Sequence, residues 1–194
     1  VTAKSRGEVV ITVSTVDGGY TANCRINVVQ PVTHIKLDSD AYYLYKGEPV
    51  TIKYEVFPAN ANNKTLTWSS SDENILTVVD GVITPLNPGT AEITVTDSTG
   101  VIKVKVVATV VSKVNGIEID KEEVTLKMGQ TESLIATVKP EDATNKNYSW
   151  SSSDEAIAVV KNGVITPVAT GTAIITVKTE DGEFIATCLV TVVD

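Results

Sequence analysis

The chain is predicted to be all-β, built as tandem sandwiches of two packed sheets, and three observations in the sequence carry that prediction. The first is a self-match at a spacing of 82 residues: the shift lays Ile35 on Ile117, Gly47 on Gly129, Pro58 on Pro140, Trp68 on Trp150, Gly81 on Gly163, Gly89 on Gly171 and Gly100 on Gly182, with no insertion or deletion. The second is period-two alternation of apolar and polar residues in short runs, the mark of half-buried strands. The third is residue choice. Valine and threonine dominate, methionine occurs once, and Gly, Asn, Asp and Pro punctuate the runs. A fixed long period means that one unit is reused, which points to architecture before chemistry.

The same shift lays Gly7 on Gly89, Gly18 on Gly100 and Val28 on Val110, so the first residues match the end of the unit. The expected organisation is the C-terminal part of one module at 1–30, a full module at 32–111 and a second at 114–194. Thirty residues cannot bury a core alone. Residues 1–30 are therefore expected to be either a truncated domain or a segment that completes a sandwich in trans. The links Gln30-Pro31-Val32-Thr33 and Ser112-Lys113-Val114-Asn115 are short and lack glycine runs, which favours stiff connections.

Within each copy the strands follow from alternation. Ile52, Tyr54 and Val56 are expected to face inward, with Lys53, Glu55 and Phe57 outward, and Leu134, Ala136 and Val138 repeat the inward set. Leu66 and Trp68 share a face, as do Tyr148 and Trp150, which places Trp68 and Trp150 as core residues at the centre of each sandwich. Asp80-Gly81, Asn162-Gly163 and Asp181-Gly182 supply the positive φ of tight hairpins. Pro58 and Pro140 end a strand by removing a ladder donor. Seven to eight short strands per copy are expected.

Composition excludes several functions. A net charge of −8 argues against binding a nucleic-acid backbone, and no apolar run is long enough to span a membrane. His34 is the only histidine. Without a second imidazole or a paired thiol, no Ser-His or Cys-His nucleophile can be assembled, and no zinc set exists. Cys24 and Cys188 sit at equivalent positions, with Val106 in the copy between, so the site reads as a buried apolar position and no disulfide is expected. The run Ser69 to Glu73 recurs at Ser151 to Glu155 and reads as turn capping rather than catalysis. Asp38-Ser39-Asp40 and Asp72-Glu73 offer oxygen ligands, but no EF-hand spacing accompanies them. No cofactor is expected.

The sharpest difference between the copies is aromatic. Tyr42-Tyr43-Leu44-Tyr45 aligns with Val124-Thr125-Leu126-Lys127, and Phe57 aligns with Lys139. If Leu44 points inward, Tyr43 and Tyr45 point outward, so Tyr43, Tyr45 and Phe57 are the candidate contact surface for a protein or a glycan.

The motifs Thr67-Trp68-Ser69-Ser70-Ser71-Asp72, Gly81-Val82-Ile83-Thr84 and Gly89-Thr90-Ala91-Glu92-Ile93-Thr94-Val95, answered by Ser149 to Asp154, Gly163 to Thr166 and Gly171 to Val177, resemble the bacterial Ig-like domain, group 2. That module is also found in intimin- and invasin-type surface adhesins. The resemblance covers both full copies. It implies an Ig-like sandwich fold and an extracellular setting at a bacterial surface, in a secreted protein or on a phage virion. The implied role is a spacer or part of an adhesive stalk, with neighbouring Ig-like domains as partners and, in the adhesive role, a host protein or glycan. An accessory module of a carbohydrate-active enzyme or of a virion protein is the alternative setting. The resemblance brings no catalytic residues.

Overall fold

A computed structural model describes residues 1–194 and contains strands but no helix. Two strands, β1 (Gly7–Ser14) and β2 (Thr21–Val28), form an antiparallel hairpin of their own. The first full copy follows with β3 (His34–Leu37), β4 (Ala41–Tyr45), β5 (Val50–Thr51), β6 (Tyr54–Phe57), β7 (Leu66–Ser70), β8 (Leu76–Val79), β9 (Val82–Pro85), β10 (Gly89–Asp97) and β11 (Lys103–Val111). The second repeats the series with β12 (Gly116–Ile119), β13 (Glu123–Lys127), β14 (Glu132–Ser133), β15 (Ala136–Lys139), β16 (Tyr148–Ser152), β17 (Ala158–Lys161), β18 (Val164–Pro167), β19 (Gly171–Thr179) and β20 (Ile185–Val193).

Each copy thus has nine strands against the seven or eight expected from alternation. The difference lies in β5 and β14, two residues each, which are too short to leave a periodic signal. The sheet orders are the same in both: β4-β11-β10-β7 and β13-β20-β19-β16 as the four-stranded layer, with β3-β6 plus β5-β9-β8 and β12-β15 plus β14-β18-β17 completing the sandwich. In the second copy β13 joins β20 in parallel, Glu123 opposite Leu189 and Lys127 opposite Val193.

By packing, the chain divides into two compact units, residues 1–42, 49–84 and 91–108, and residues 43–48, 85–90 and 109–194. In the first, Val32, Ile35, Ala61 and Val95 are buried together, with Trp68, Val56 and Leu66 against them. In the second, Val114, Ile117, Ala143 and Val177 do the same, each 82 positions on, with Trp150 against them. A further cluster of Leu126, Leu134, Ala158, Ile165, Ile175 and Val190 seals the two layers of the second copy. Identical placement of equivalent residues is what reuse of one folding unit demands.

Trp68 and Trp150 are half-buried rather than central: each packs on the edge of these clusters, and the deepest positions belong to β-branched residues such as Ile83, Ile93, Ile165 and Ile175. An indole is too large to fit wholly inside so small a layer. Tyr54 keeps the expected inward phase, opposite Leu37 and two residues before the core-packed Val56, but 44% of it stays exposed because its long ring lies edge-on along Trp68, at 5.4 Å, at the margin of the core.

Two of the three turns carry the expected pair, while at the third the positive φ falls on Gly182 (75°) and Glu183 (53°) rather than on Asp181. Asp80 and Gly81 have φ of 49° and 81°, and Asn162 and Gly163 have 50° and 81°, the double positive-φ pair of a type I′ hairpin. The peptide bonds before Pro58 and Pro140 are cis. The links are held in a matching way within each unit. Gln30 N donates to Asn62 Oδ1 (2.6 Å) while Asn62 N donates to Gln30 O (2.9 Å). Ser112 N donates to Thr144 Oγ1 (2.9 Å) while Thr144 N donates to Ser112 O (2.9 Å). Asn and Thr substitute for each other here because each offers a side-chain acceptor beside its own N–H.

Candidate interaction surfaces

The serine-rich motif resolves into a backbone tie in both copies. Ser71 N donates to Glu92 O (2.9 Å) and Glu92 N donates to Ser71 Oγ (2.8 Å); Ser153 and Ile174 repeat the exchange at 2.9 and 2.8 Å. Asp72 Oδ1 accepts from Asn74 N (2.9 Å), and Asp154 Oδ1 from Ala156 N (2.9 Å). These side chains spend their polar atoms on turn geometry.

The acidic residues are likewise engaged locally. Tyr42 donates its hydroxyl to Asp38 Oδ1, which holds the Asp38 carboxyl below its ordinary range, while burial and the same bond push the Tyr42 phenol up. Asp97 Oδ2 accepts from Thr99 Oγ1 (2.6 Å) and its Oδ1 from Ile102 N (2.8 Å), and its pKa is lowered by these bonds. Its counterpart Thr179 does the equivalent work by accepting from Phe184 N (3.0 Å). In the second copy Asp120, Lys121 and Glu132 form an ion-paired network. Asp120 Oδ1 accepts from Ile135 N (2.7 Å), and Lys121 Nζ reaches Asp120 and Glu132 at 2.9 and 3.1 Å. These bonds lower both carboxyls and raise Lys121.

The aromatic residues divide. Tyr43 and Tyr45 stand side by side on the outer face of β4, edge-to-face at 6.0 Å, with Tyr43 68% and Tyr45 37% exposed and Leu44 buried between them. Lys113 Nζ lies 3.6 Å over the Tyr45 ring, so one face of Tyr45 is already taken and Tyr43 is the freer platform. Phe57 has a partner of its own. It stacks on His34 at 4.3 Å and 5°, because β3 and β6 set these two residues opposite one another. The outward phase of Phe57 thus ends in a cross-strand pair, a partner that the alignment of copies could not disclose.

The two cysteines are free; Cys188 is buried in the core and Cys24 is exposed on the hairpin. The difference follows from cover. Val13 on β1 is 65% exposed, whereas its equivalents Val95 and Val177 are fully buried.

Another surface escaped the sequence reading. A cleft of about 840 Å³ opens between β12 and β20, walled by Ile119 and Leu189, with Thr187 on one side and Glu118, Glu122 and Glu123 on the other. The signal for it lay in the comparison of copies: Glu92, Lys103 and Lys105 of the first copy become Ile174, Ile185 and Thr187 in the second.

Comparison with known proteins places these observations. The sequence profile of the bacterial Ig-like domain (group 2) matches residues 31–108 and again 113–190. An Ig-like virion protein of Serratia phage KSP90 is 35% identical over 170 residues, 84% of this chain and 66% of that protein. An uncharacterized protein of Clostridium acetobutylicum is 34% identical over 153 residues, 77% of this chain and 16% of that protein. An alpha-L-arabinofuranosidase of Bifidobacterium longum is 44% identical over 80 residues, 41% of this chain and 8% of the enzyme. The chain thus spans from a small part to about two thirds of these relatives' lengths. Among solved structures, the N-terminal four Ig domains of Dscam1 (isoform 6.44) superpose with a TM-score of 0.52 at 17% identity, over 90% of this chain and 51% of that one, a likeness of fold. With both copies matched in full register to one profile, the chain belongs to the bacterial Ig-like domain (group 2) family.

Proposed function

We propose that the two sandwiches are non-catalytic structural modules of a protein that works outside the cytoplasm, on a cell surface, in a secreted protein or on a virion, where they set the distance between other parts. The observation that carries this reading is that one module serves proteins of unlike chemistry. A phage virion protein and an arabinofuranosidase both match it, the enzyme over only 8% of its length. Such a module contributes a fold and not a reaction. The side chains that looked reactive support the same view, since Ser71, Ser153, Asp72 and Asp154 are committed to turns.

The test is made in the protein that carries these modules. Residues 31–190 are deleted in one variant and exchanged in another for an unrelated tandem of sandwiches of equal length. Spacing predicts that deletion impairs that protein's function and that the exchange restores it. Loss of function in the exchanged protein, expressed and folded, overturns the reading.

A second reading, an adhesive role, is supported by the exposed Tyr43–Tyr45 pair, which the other copy replaces with Thr125 and Lys127. Substituting Tyr43→Thr and Tyr45→Lys should abolish binding of the carrying protein to a cell surface or glycan if the pair is the contact, and unchanged binding removes the idea.

A further inference from the structure

One edge of β20 is covered over only half its length. Thr179 N donates to Phe184 O (2.9 Å), which sets the phase of the β19–β20 ladder. With Val177 opposite Ala186 and Ile175 opposite Cys188, the backbone groups of Ala186 and Cys188 face β19, and those of Ile185, Thr187 and Leu189 face the other way. On that far side Leu189 N donates to Glu122 O (2.8 Å), and the parallel pairing with β13 runs from there to Val193. β12 pairs with β15 instead of β20. The N–H and C=O of Ile185 and Thr187 are left on that far side without a ladder partner, with Thr187 on the wall of the cleft, the condition that invites another strand.

The surroundings of this edge have a definite chemistry. Ile185, Ile174 and Leu189 are 61%, 45% and 42% exposed on the outer face of the sheet, an apolar strip beside the open backbone. In the first copy the edge is guarded: Lys103 and Lys105 stand where Ile185 and Thr187 do, Glu92 replaces Ile174, and Lys105 Nζ is 2.6 Å from Glu92 Oε1, which leaves Val107, the counterpart of Leu189, as the apolar residue of that strip. Lysines on an edge are a device against strand addition, and the second copy has lost them. Across the cleft stand Glu118, Glu122 and Glu123, all exposed. Lys139 contacts Glu118 at 3.4 Å, whereas Glu122 and Glu123 make no ion pair.

We propose that the open edge of β20 takes an extended peptide strand from a partner protein, one in which apolar residues alternate with lysine or arginine. The main chain of that strand bonds to Ile185 and Thr187. Its apolar side chains lie along Ile174, Ile185 and Leu189, and its cations face Glu118, Glu122 and Glu123. The first copy, with its lysines in place, does not bind such a strand and serves as the internal control. The site is independent of any spacing role.

The probe is a blocked octapeptide of alternating valine and lysine, titrated into the full 194-residue chain and followed residue by residue by amide NMR. The expected result is saturable shifts at Ile185 to Leu189 and Glu118 to Glu123, with none at Lys103 to Val107, and no binding of the valine–glutamate counterpart. Glu122→Lys with Glu123→Lys should weaken binding at least tenfold. Thr187→Pro should abolish it while leaving the fold intact, because the N–H it removes serves no ladder bond. Ile185→Lys with Thr187→Lys, which copies the first module, must abolish it as well, so the outcome does not depend on one variant folding. Absence of saturable binding at millimolar peptide, shifts mapping elsewhere, or binding that survives the double lysine variant overturns the proposal.

Discussion

The two copies supply a matched experiment on a single methyl group. Gly81 and Gly163 occupy the same turn with the same φ of 81°, and a Cβ built on either would meet the Cζ2 atom of its tryptophan at 3.4 Å. They differ in the neighbouring strand: that Cβ would lie 3.6 Å from Ile52 O in the first copy and 2.6 Å from Leu134 O in the second. At Gly81, alanine incurs only the left-handed backbone cost, about 1 kcal/mol after the gain from a stiffer unfolded chain. At Gly163 the carbonyl must also retreat. Leu134 is buried, and its N donates to Gly163 O at 2.9 Å, so the retreat strains that bond and the core behind it. A weakened hydrogen bond and a forced shift in a packed core add about 2 kcal/mol. Gly163→Ala is therefore expected to cost about 3 kcal/mol against about 1 for Gly81→Ala. For a module of this size the difference corresponds to roughly 10 °C in melting temperature. Each variant is read in its own copy by tryptophan fluorescence during urea unfolding, with Trp68→Phe isolating Trp150 for Gly163→Ala and Trp150→Phe isolating Trp68 for Gly81→Ala. Equal losses at the two glycines would refute the carbonyl argument.

The remaining expectations rest on separate features. Asp120 and Glu132 have folded pKa values below their ordinary 3.8 and 4.5, so their network contributes stability above that range and loses it as pH falls through the depressed values. Lys121, raised above 10.5, loses its share only as pH rises past that value. Urea midpoints of the second copy should drop on acidification, and Asp120→Asn should flatten that drop while lowering the midpoint at neutral pH. Ser71→Ala and Ser153→Ala should each cost about 1 kcal/mol, measured by denaturation, through loss of one bond between strands; labelling of either serine by a fluorophosphonate would contradict their structural assignment. With a thiol reagent at neutral pH, Cys24 should react promptly and Cys188 only on unfolding, since burial shields that thiol and raises its pKa.

The legible part of the fold was the part written twice. The 82-residue shift identifies equivalent positions, and the structure packs Val32 and Val114, Ile35 and Ile117, and Val95 and Val177 in matching places. The Asp80-Gly81 and Asn162-Gly163 turns were legible because few residues accept positive φ, so composition betrays geometry there. Side-chain burial and cross-strand partners were less legible. Tyr54 keeps its inward phase yet stays 44% exposed, its ring lying along Trp68 at the margin of the core, and Phe57 faces outward only to meet His34 on the adjacent strand. Contacts across a sheet depend on pairing and register, and one strand's own sequence does not contain them. The cleft beside β20 was hidden for the same reason. It exists because β12 pairs with β15 while β13 pairs with β20, a switch of partner between two consecutive strands.

Each full module is built on a covered sandwich core that repeats from copy to copy, and amide hydrogen exchange tests this most directly. The hairpin β1–β2 and the pairs β10–β11 and β19–β20 are the same motif in three settings: the last two lie under the rest of their sandwich, and the first is exposed along its length. Slow exchange at Ile93 and Val95, matched at Ile175 and Val177, with fast exchange at Ile11 and Val13, is the predicted result. Protection of the hairpin equal to that of the two covered pairs, or unlike patterns at positions 82 residues apart, would contradict it.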